Sequence, residues 1–179
     1  TEAKIRLEQH VDPQGKPSER VLELAYLNSF HESGLKSPLD DAILAHGNID
    51  VSAWKKIDEV PFDFERRRVS VLLDKGNGRL LVVKGASEEI IELCTHYETQ
   101  GNTDQIPLDK ASREKIHAEH IALEKEGFRV LGIAWREVPQ DHSDAVIGDE
   151  TDLVFAGFAG FLDPPKASAG TALAALNEW

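Results

Sequence analysis

The sequence predicts an α+β fold, a mainly antiparallel, twisted β-sheet flanked by helices. Two apolar, β-branched runs, residues 69–73 and 79–83, are joined by Lys75-Gly76-Asn77-Gly78, turn chemistry that sends the second strand back beside the first. Strands joined as hairpins are then interrupted by helical stretches instead of alternating with them one for one, which argues against a Rossmann-like parallel sheet. With 179 residues and one cysteine, the chain is long enough to bury a core in a single domain without disulfides. All of 1–179 is read as that domain, with its core over 18–162.

Lys4-Ile5-Arg6-Leu7-Glu8 alternates polar and apolar residues as a half-buried strand does, and Asp12-Pro13-Gln14-Gly15-Lys16-Pro17 ends it with turn residues. Ser18 is placed to cap a helix whose apolar face is Val21, Leu22, Leu24, Ala25 and Leu27, closing at Asn28 or Ser29. A second helix begins at Ser37-Pro38. There the serine accepts from unpaired amides, proline fits the first turn, and Asp40-Asp41 suit the positive end of the dipole, with Ala42, Ile43, Leu44 and Ala45 facing inward. Strands are expected over 54–60, 69–73 and 79–83, then a short helix over 87–94 and a turn over 99–104. A longer helix runs from Leu108-Asp109 to about Gly127, followed by a strand over 128–137. A polar, acidic loop at 139–152 reads as mobile. A strongly apolar strand at 153–162 stops at Asp163-Pro164-Pro165-Lys166, where two prolines end the ladder.

The formal charge is -12, with the acid spread along the chain. Nucleic-acid modules carry a basic face to neutralise phosphates, so that class is set aside. No apolar run approaches the roughly 20 residues needed to span a bilayer, and no basic start with an apolar middle marks a signal peptide, so no membrane contact is expected of these residues. The lone Cys94 neighbours Ile90, Ile91 and Leu93, so no internal disulfide or cysteine-based zinc site forms, and a reducing, cytosolic setting fits. The chain contains no methionine, and the Ala/Leu pattern from Thr171 to Leu176 reads as a helix still running at Trp179. The sequence therefore reads as a piece of a longer protein.

Complete catalytic signatures are missing from the sequence. Its seven histidines never take a spacing such as His-Glu-x-x-His. His117 and His120 share a helical face, with no third ligand near them in sequence, and read as surface residues. There is no G-x-S-x-G elbow, Cys94 has only His96 as a nearby base, and neither G-x-x-x-x-G-K-[ST] nor a helix-opening G-x-G-x-x-G occurs. What stands out is a small cationic spot on an acidic body, where Phe62, Arg66-Arg67-Arg68 and Lys84-Gly85 fall within one hairpin region. A purine needs an apolar ring face, its phosphates need positive charge, and a ligand lying on backbone needs a residue without a side chain. On that reading Phe62 stacks the base, Arg67 reaches phosphate or ribose, Lys84 approaches from the opposed strand and Gly85 keeps that wall low. A plainer alternative stays open for each: a core phenylalanine, a solvated arginine cluster, a strand-end lysine.

The same residues carry a family resemblance. Lys84-Gly85-Ala86-Ser87-Glu88 resembles the K-G-A-P-E box of the nucleotide-binding domain of P-type cation-transporting ATPases, with serine for proline. Phe62 followed by Val69-Ser70-Val71 is similar to that family's F-x-x-x-x-(K/R)-x-x-S-V segment, and Ser37-Pro38-Leu39-Asp40-Asp41-Ala42-Ile43 to a degenerate G-D-P-x-E-x-A-L. Gly127-Phe128-Arg129-Val130-Leu131-Gly132-Ile133-Ala134 resembles its G-(F/L)-R-x-L-x-(V/I)-A strand, and Asp163-Pro164-Pro165-Lys166 its D-P-P-R. These segments follow the family's order. The Pro61 to Val71 and Phe161 to Lys166 forms look most like the bacterial magnesium-importing branch.

The resemblance implies an ATP-binding cytosolic domain that positions the γ-phosphate for transfer to an aspartate in a separate domain, driving cation transport with Mg²⁺ as the ion. ATP, with Mg²⁺ in the full-length protein, is the implied cofactor. The phosphorylation and actuator domains of the same chain are the implied partners, in a bacterial inner-membrane protein whose cytoplasmic part this is. Residues 163–179 are the implied start of the return to the phosphorylation domain. By the same resemblance Phe62 stacks on adenine, Arg67 is the cation near the nucleotide, Lys84 lines the adenine pocket and Gly85 is the small residue beside the base. Asp40 stands where the family has the glutamate that bonds the purine amino group, and Arg129 where it has the arginine reaching the β-phosphate. The motifs D-K-T-G-T, T-G-D-G-x-N-D and T-G-E-S are not in the chain, so these residues alone are not expected to turn over ATP. The alternatives are the equivalent domain of a Ca²⁺ or H⁺ ATPase, or a cytosolic protein-interaction domain, for which the acidic bulk and the 139–152 loop speak.

Overall fold

The computed structural model describes residues 4–100 and 102–165. Strand β1 (Arg6–Val11) turns at Asp12, whose carboxylate accepts from the Gln14 and Lys16 amides, and leads into α1 (Glu19–His31). Ser18 caps α1 as expected, its hydroxyl accepting from the Val21 amide at 3.2 Å. The helix does not close at Asn28 or Ser29. Both are buried inside it, and Asn28 Nδ2 donates to the Val69 and Val82 carbonyls at 3.0 Å each, tying α1 to two strands. Helix α2 (Pro38–His46) opens in a capping box, with Ser37 Oγ accepting from the Asp40 amide and the Asp40 carboxylate accepting from the Ser37 amide.

Strands β2 (Lys55–Asp63), β3 (Arg68–Asp74) and β4 (Arg79–Ala86) form an antiparallel meander, each running beyond its expected end. After α3 (Ser87–Glu92) come β5 (Cys94–Thr99) and β6 (Asn102–Pro107), where sequence had suggested the end of a helix and a turn over 99–104. Helix α4 (Lys110–Lys125), capped by Asp109, is followed by Gly127 at φ 97°, then by β7 (Arg129–Val138) and β8 (Leu153–Leu162). Lys166 and the helix expected over 171–176 lie outside the described residues.

One eight-stranded sheet results, in the order β2-β3-β4-β7-β8-β5-β6, with β1 also paired to β8. Only β5–β8 is parallel, so the α+β reading with a mainly antiparallel sheet holds. With β7 on one edge of β8, the other is divided: β5 takes its first residues and β1 its last. Gly157 sits at the changeover with φ 148°, and a Cβ there would strike the Val11 carbonyl.

Helices cover both faces. Val71, Leu73, Leu80 and Val82 pack with α1 and α2, while Leu72, Leu81 and Val83 pack with α3 and α4. Buried on both sides, β3 and β4 are continuous apolar runs in place of an alternating pattern. The acidic loop before β8 is tied down, contrary to the mobile reading. The Ala145 amide donates to Asp58 at 2.8 Å, Arg136 donates to the Asp149 and Thr151 carbonyls, and a 3₁₀ turn spans Ile147–Asp149. No helix among the described residues is long and apolar enough to cross a membrane.

Candidate functional site

At the end of the sheet where β2 and β4 finish and β3 and β7 begin, a cleft of about 530 Å³ opens. That volume is in the range of small-molecule sites. Asp40, Phe62, Arg67, Lys84, Gly85 and Arg129, the six residues singled out in the sequence, all line it.

Lys84 is no strand-end charge. It lies within β4, 5% exposed, and its Nζ is 2.9 Å from Asp40 Oδ1. The same oxygen accepts from Ser29 Oγ at 2.8 Å, and Oδ2 accepts from the Ser37 amide and hydroxyl at 3.0 Å each. Four donors from Ser29, Ser37 and Lys84 thus converge on the Asp40 carboxylate. Burial opposes its ionisation, but the Lys84 ammonium and the hydrogen bonds from Glu32, Ser37 and Lys84 hold it well below the usual carboxylate range. Glu32, at the C-terminal cap of α1, borders the cleft beside this cluster. Burial, and then hydrogen bonding to Asp40, pushes its carboxyl up to about 7.

Phe62 is 52% exposed at the cleft, which rules out the core reading; its ring meets Phe64 edge-on at 5.5 Å between centroids. The three arginines separate. Arg66 and Arg68 both reach Glu150, whose side chain is fully buried, at 2.7 and 2.9 Å, and the Ser70 hydroxyl donates to it as well. Arg67 is left facing the cleft, in the left-handed region at φ 56°, with Glu89 3.4 Å away. Gly85 stands opposite. A Cβ there would collide with the Arg67 carbonyl and Arg68 Cβ, so the glycine lets the β2–β3 turn close on β4, where the Ala86 amide donates to Arg67 O at 3.1 Å. Arg129 opens β7, exposed, 3.3 Å from Asp163.

Three buried polar atoms of cleft residues have no hydrogen-bond partner among the described residues: Glu32 Oε1, Ser87 Oγ and His120 Nδ1. Buried polar atoms are nearly always paired, and these three belong to residues that line one cleft.

The family model for the P-type ATPase cytoplasmic domain N matches residues 45–168. The chain belongs to this family. It is 43% identical, over 99% of its length, to the "Magnesium-transporting ATPase, P-type 1" of Salmonella typhimurium (strain LT2), and equally to that of Escherichia coli (strain K12). To the "Calcium-transporting ATPase 2, endoplasmic reticulum-type" of Arabidopsis thaliana it is 30% identical over 95% of its length. It spans 20% of the two bacterial proteins and 17% of the plant one.

Within this N domain, Phe62, Arg67, Lys84, Gly85 and Arg129 lie in the matched span, whereas Glu32 and Asp40 precede it. Sequence reasoning missed Glu32, because α1 was expected to end before it. It missed Glu150 because the groups it holds are 80 to 84 positions away. His120, read as a surface residue, turns inward from α4 toward Phe158, with Nε2 3.3 Å from Glu124. No three His, Cys, Asp or Glu side chains gather as a metal site among the described residues. Burial pushes the Cys94 thiol up, which suits a core residue and not a nucleophile.

Proposed function

We propose that this N domain binds ATP in the cleft and presents its γ-phosphate to an aspartate carried by another domain of a Mg²⁺-transporting P-type ATPase. One observation carries the reading: a half-exposed aromatic ring, a cationic turn and residues with unpartnered buried polar atoms line a single cleft. Adenine lies on Phe62, with Phe64 at the ring edge. Lys84, steadied by Asp40, and Gly85 bound the base from β4. Arg67 and Arg129 stand exposed at the mouth and offer guanidinium forks to the phosphates.

The chemistry is a phosphoryl transfer, in which an aspartate oxygen attacks the γ-phosphorus, the bond to the bridging oxygen breaks and ADP leaves. This chain carries no D-K-T-G-T nucleophile motif, so its share of the work is binding and orientation. No cluster of three His, Cys, Asp or Glu side chains stands among its described residues, and Mg²⁺ would arrive with the nucleotide phosphates. In the parent the domain would stand on the cytoplasmic side of a bacterial inner membrane, against the phosphorylation and actuator domains. The names of the bacterial relatives support Mg²⁺ as the transported ion.

Titrating ATP while recording amide NMR shifts tests this. Phe62, Lys84 and Arg129 are expected to move first. A response confined to 139–152, or none up to high millimolar ATP, overturns the reading in favour of a protein-interaction domain.

A further inference from the structure

We infer that Glu89 limits how tightly the cleft holds a phosphate chain, acting as an internal counter-ion on Arg67 and leaving the hold on the base unaffected. This rests on the ATP-binding reading above. It adds a residue that meets the phosphates with the same sign of charge as their own. Glu89 lies in the first turn of α3, its Oε2 3.4 Å from Arg67 Nη1. Among the described residues Arg67 lines the cleft and Glu89 does not, so the pair commits part of the guanidinium to α3.

The main chain, and not the ion pair alone, keeps these two residues together. The Ala86 amide donates to the Arg67 carbonyl at 3.1 Å, and α3 begins at the next residue, Ser87. Gly85 permits that approach, since a Cβ there would collide with the same carbonyl. Glu89 follows Ala86 within one helical turn, so it stays close to Arg67 whichever way the arginine side chain swings. Nor is the whole carboxylate in water: its Oε1 is buried and has no hydrogen-bond partner among the described residues.

Charge decides what this does to a ligand. An anion reaching Arg67 either displaces the Glu89 carboxylate or shares the guanidinium with it. The first loses an ion pair and the second sets like charges side by side, and both cost affinity. The pair is partly exposed, at 60% and 41% for the two side chains, so the penalty is modest, about threefold. It falls with salt and is absent for a neutral nucleoside. Arg129 is held in the same way, 3.3 Å from Asp163, so each of these exposed arginines already carries a carboxylate of this chain. Such restraint suits a domain that passes its γ-phosphate elsewhere, because a tighter grip on the bound nucleotide would not speed the transfer.

Amide NMR titrations of the 179-residue chain with ATP and with adenosine, at about 50 mM and about 500 mM salt, test the assignment. Glu89→Gln is expected to tighten ATP binding about threefold at the lower salt and to leave the adenosine response unchanged. At the higher salt the gain falls below about 1.5-fold. Glu89→Ala, with no acceptor left for Arg67, gains at least as much, and serves alone should the glutamine variant not fold. Because either variant makes the chain less negative than -12, Glu114→Gln, which removes an exposed acid on α4, is the reference for net charge. Weaker ATP binding in the Glu89 variants would make Glu89 a residue that positions Arg67, and overturns the inference. So does an unchanged ATP affinity, a gain that Glu114→Gln matches, or an equal gain for adenosine. Failure of the wild-type chain to bind ATP removes the ATP-binding reading itself, and this inference with it.

Discussion

Lys84 Nζ and Asp40 Oδ1 lie 2.9 Å apart, both side chains buried, one on β4 and the other in the first turn of α2. The pair joins the sheet to the helix that closes the cleft, and its energetics follow from burial. Removing one partner strands the other without water, so Lys84→Ala is expected to lower the unfolding free energy by about 3–5 kcal/mol in urea denaturation. The double variant Asp40→Asn/Lys84→Met, which removes both charges, recovers most of that stability while leaving ATP binding impaired. A loss below about 1 kcal/mol for Lys84→Ala would mean that the pair behaves as a solvated surface bridge.

Phe62 gives the opposite signature. Half exposed, it contributes little to the core, so Phe62→Ala should leave stability within about 0.5 kcal/mol while weakening ATP binding about tenfold. Thermal unfolding and calorimetric titration on one preparation separate the two effects. A variant that unfolds early while binding normally would return Phe62 to the core.

The two buried acids make stability depend on pH in opposite senses. Glu32 ionises at about 7 in the folded chain, against a reference of 4.5, so between those values the unfolded state binds fewer protons and stability falls as pH rises. Asp40 ionises below its reference of 3.8, so its stabilisation is present above that value and is lost as pH falls through the folded pKa. Melting temperatures measured from mildly acidic to mildly basic pH are expected to decline for the wild-type chain. They should decline less for Glu32→Gln, and equal declines would place Glu32 in ordinary solvent.

Glu150 has a structural task with a functional readout. Glu150→Ala leaves Arg66 and Arg68 without their buried partner and should cost about 3 kcal/mol or more in thermal or urea unfolding. Because those arginines shape the turn carrying Arg67, ATP affinity should fall as well, with amide shifts spreading through residues 62–68. Stability unchanged from the wild-type chain would show that the turn holds its form unaided.

Local signals made much of this legible. Lys75-Gly76-Asn77-Gly78 announced the β3–β4 hairpin, Ser18 and Ser37 announced two helix starts, and Phe62, Arg67 and Lys84-Gly85 marked one wall of the cleft from a short stretch of chain. What stayed hidden depends on distant partners. β5 and β6 are short and polar, and β5 joins the main sheet by lying parallel to β8, some sixty residues later, a relation that no local pattern encodes. Lys84 looked like a terminal charge because the acid that buries it belongs to a helix forty-four positions earlier. The helix carrying Glu32 was read too short, since Asn28 and Ser29 suit helix ends by their chemistry yet here bond outward to β-strands and to Asp40.

The Glu150 clamp also bears on the order of events during synthesis. A ribosome delivers the three arginines more than eighty residues before the carboxylate that sorts them, so the early hairpin can pair while its turn is still unsorted. Only when the last connection has docked ahead of β8 does that corner take its final form. Closing a loop of more than eighty residues carries an entropic cost, so this corner of the site is expected to be set late, after the hairpin that bears it.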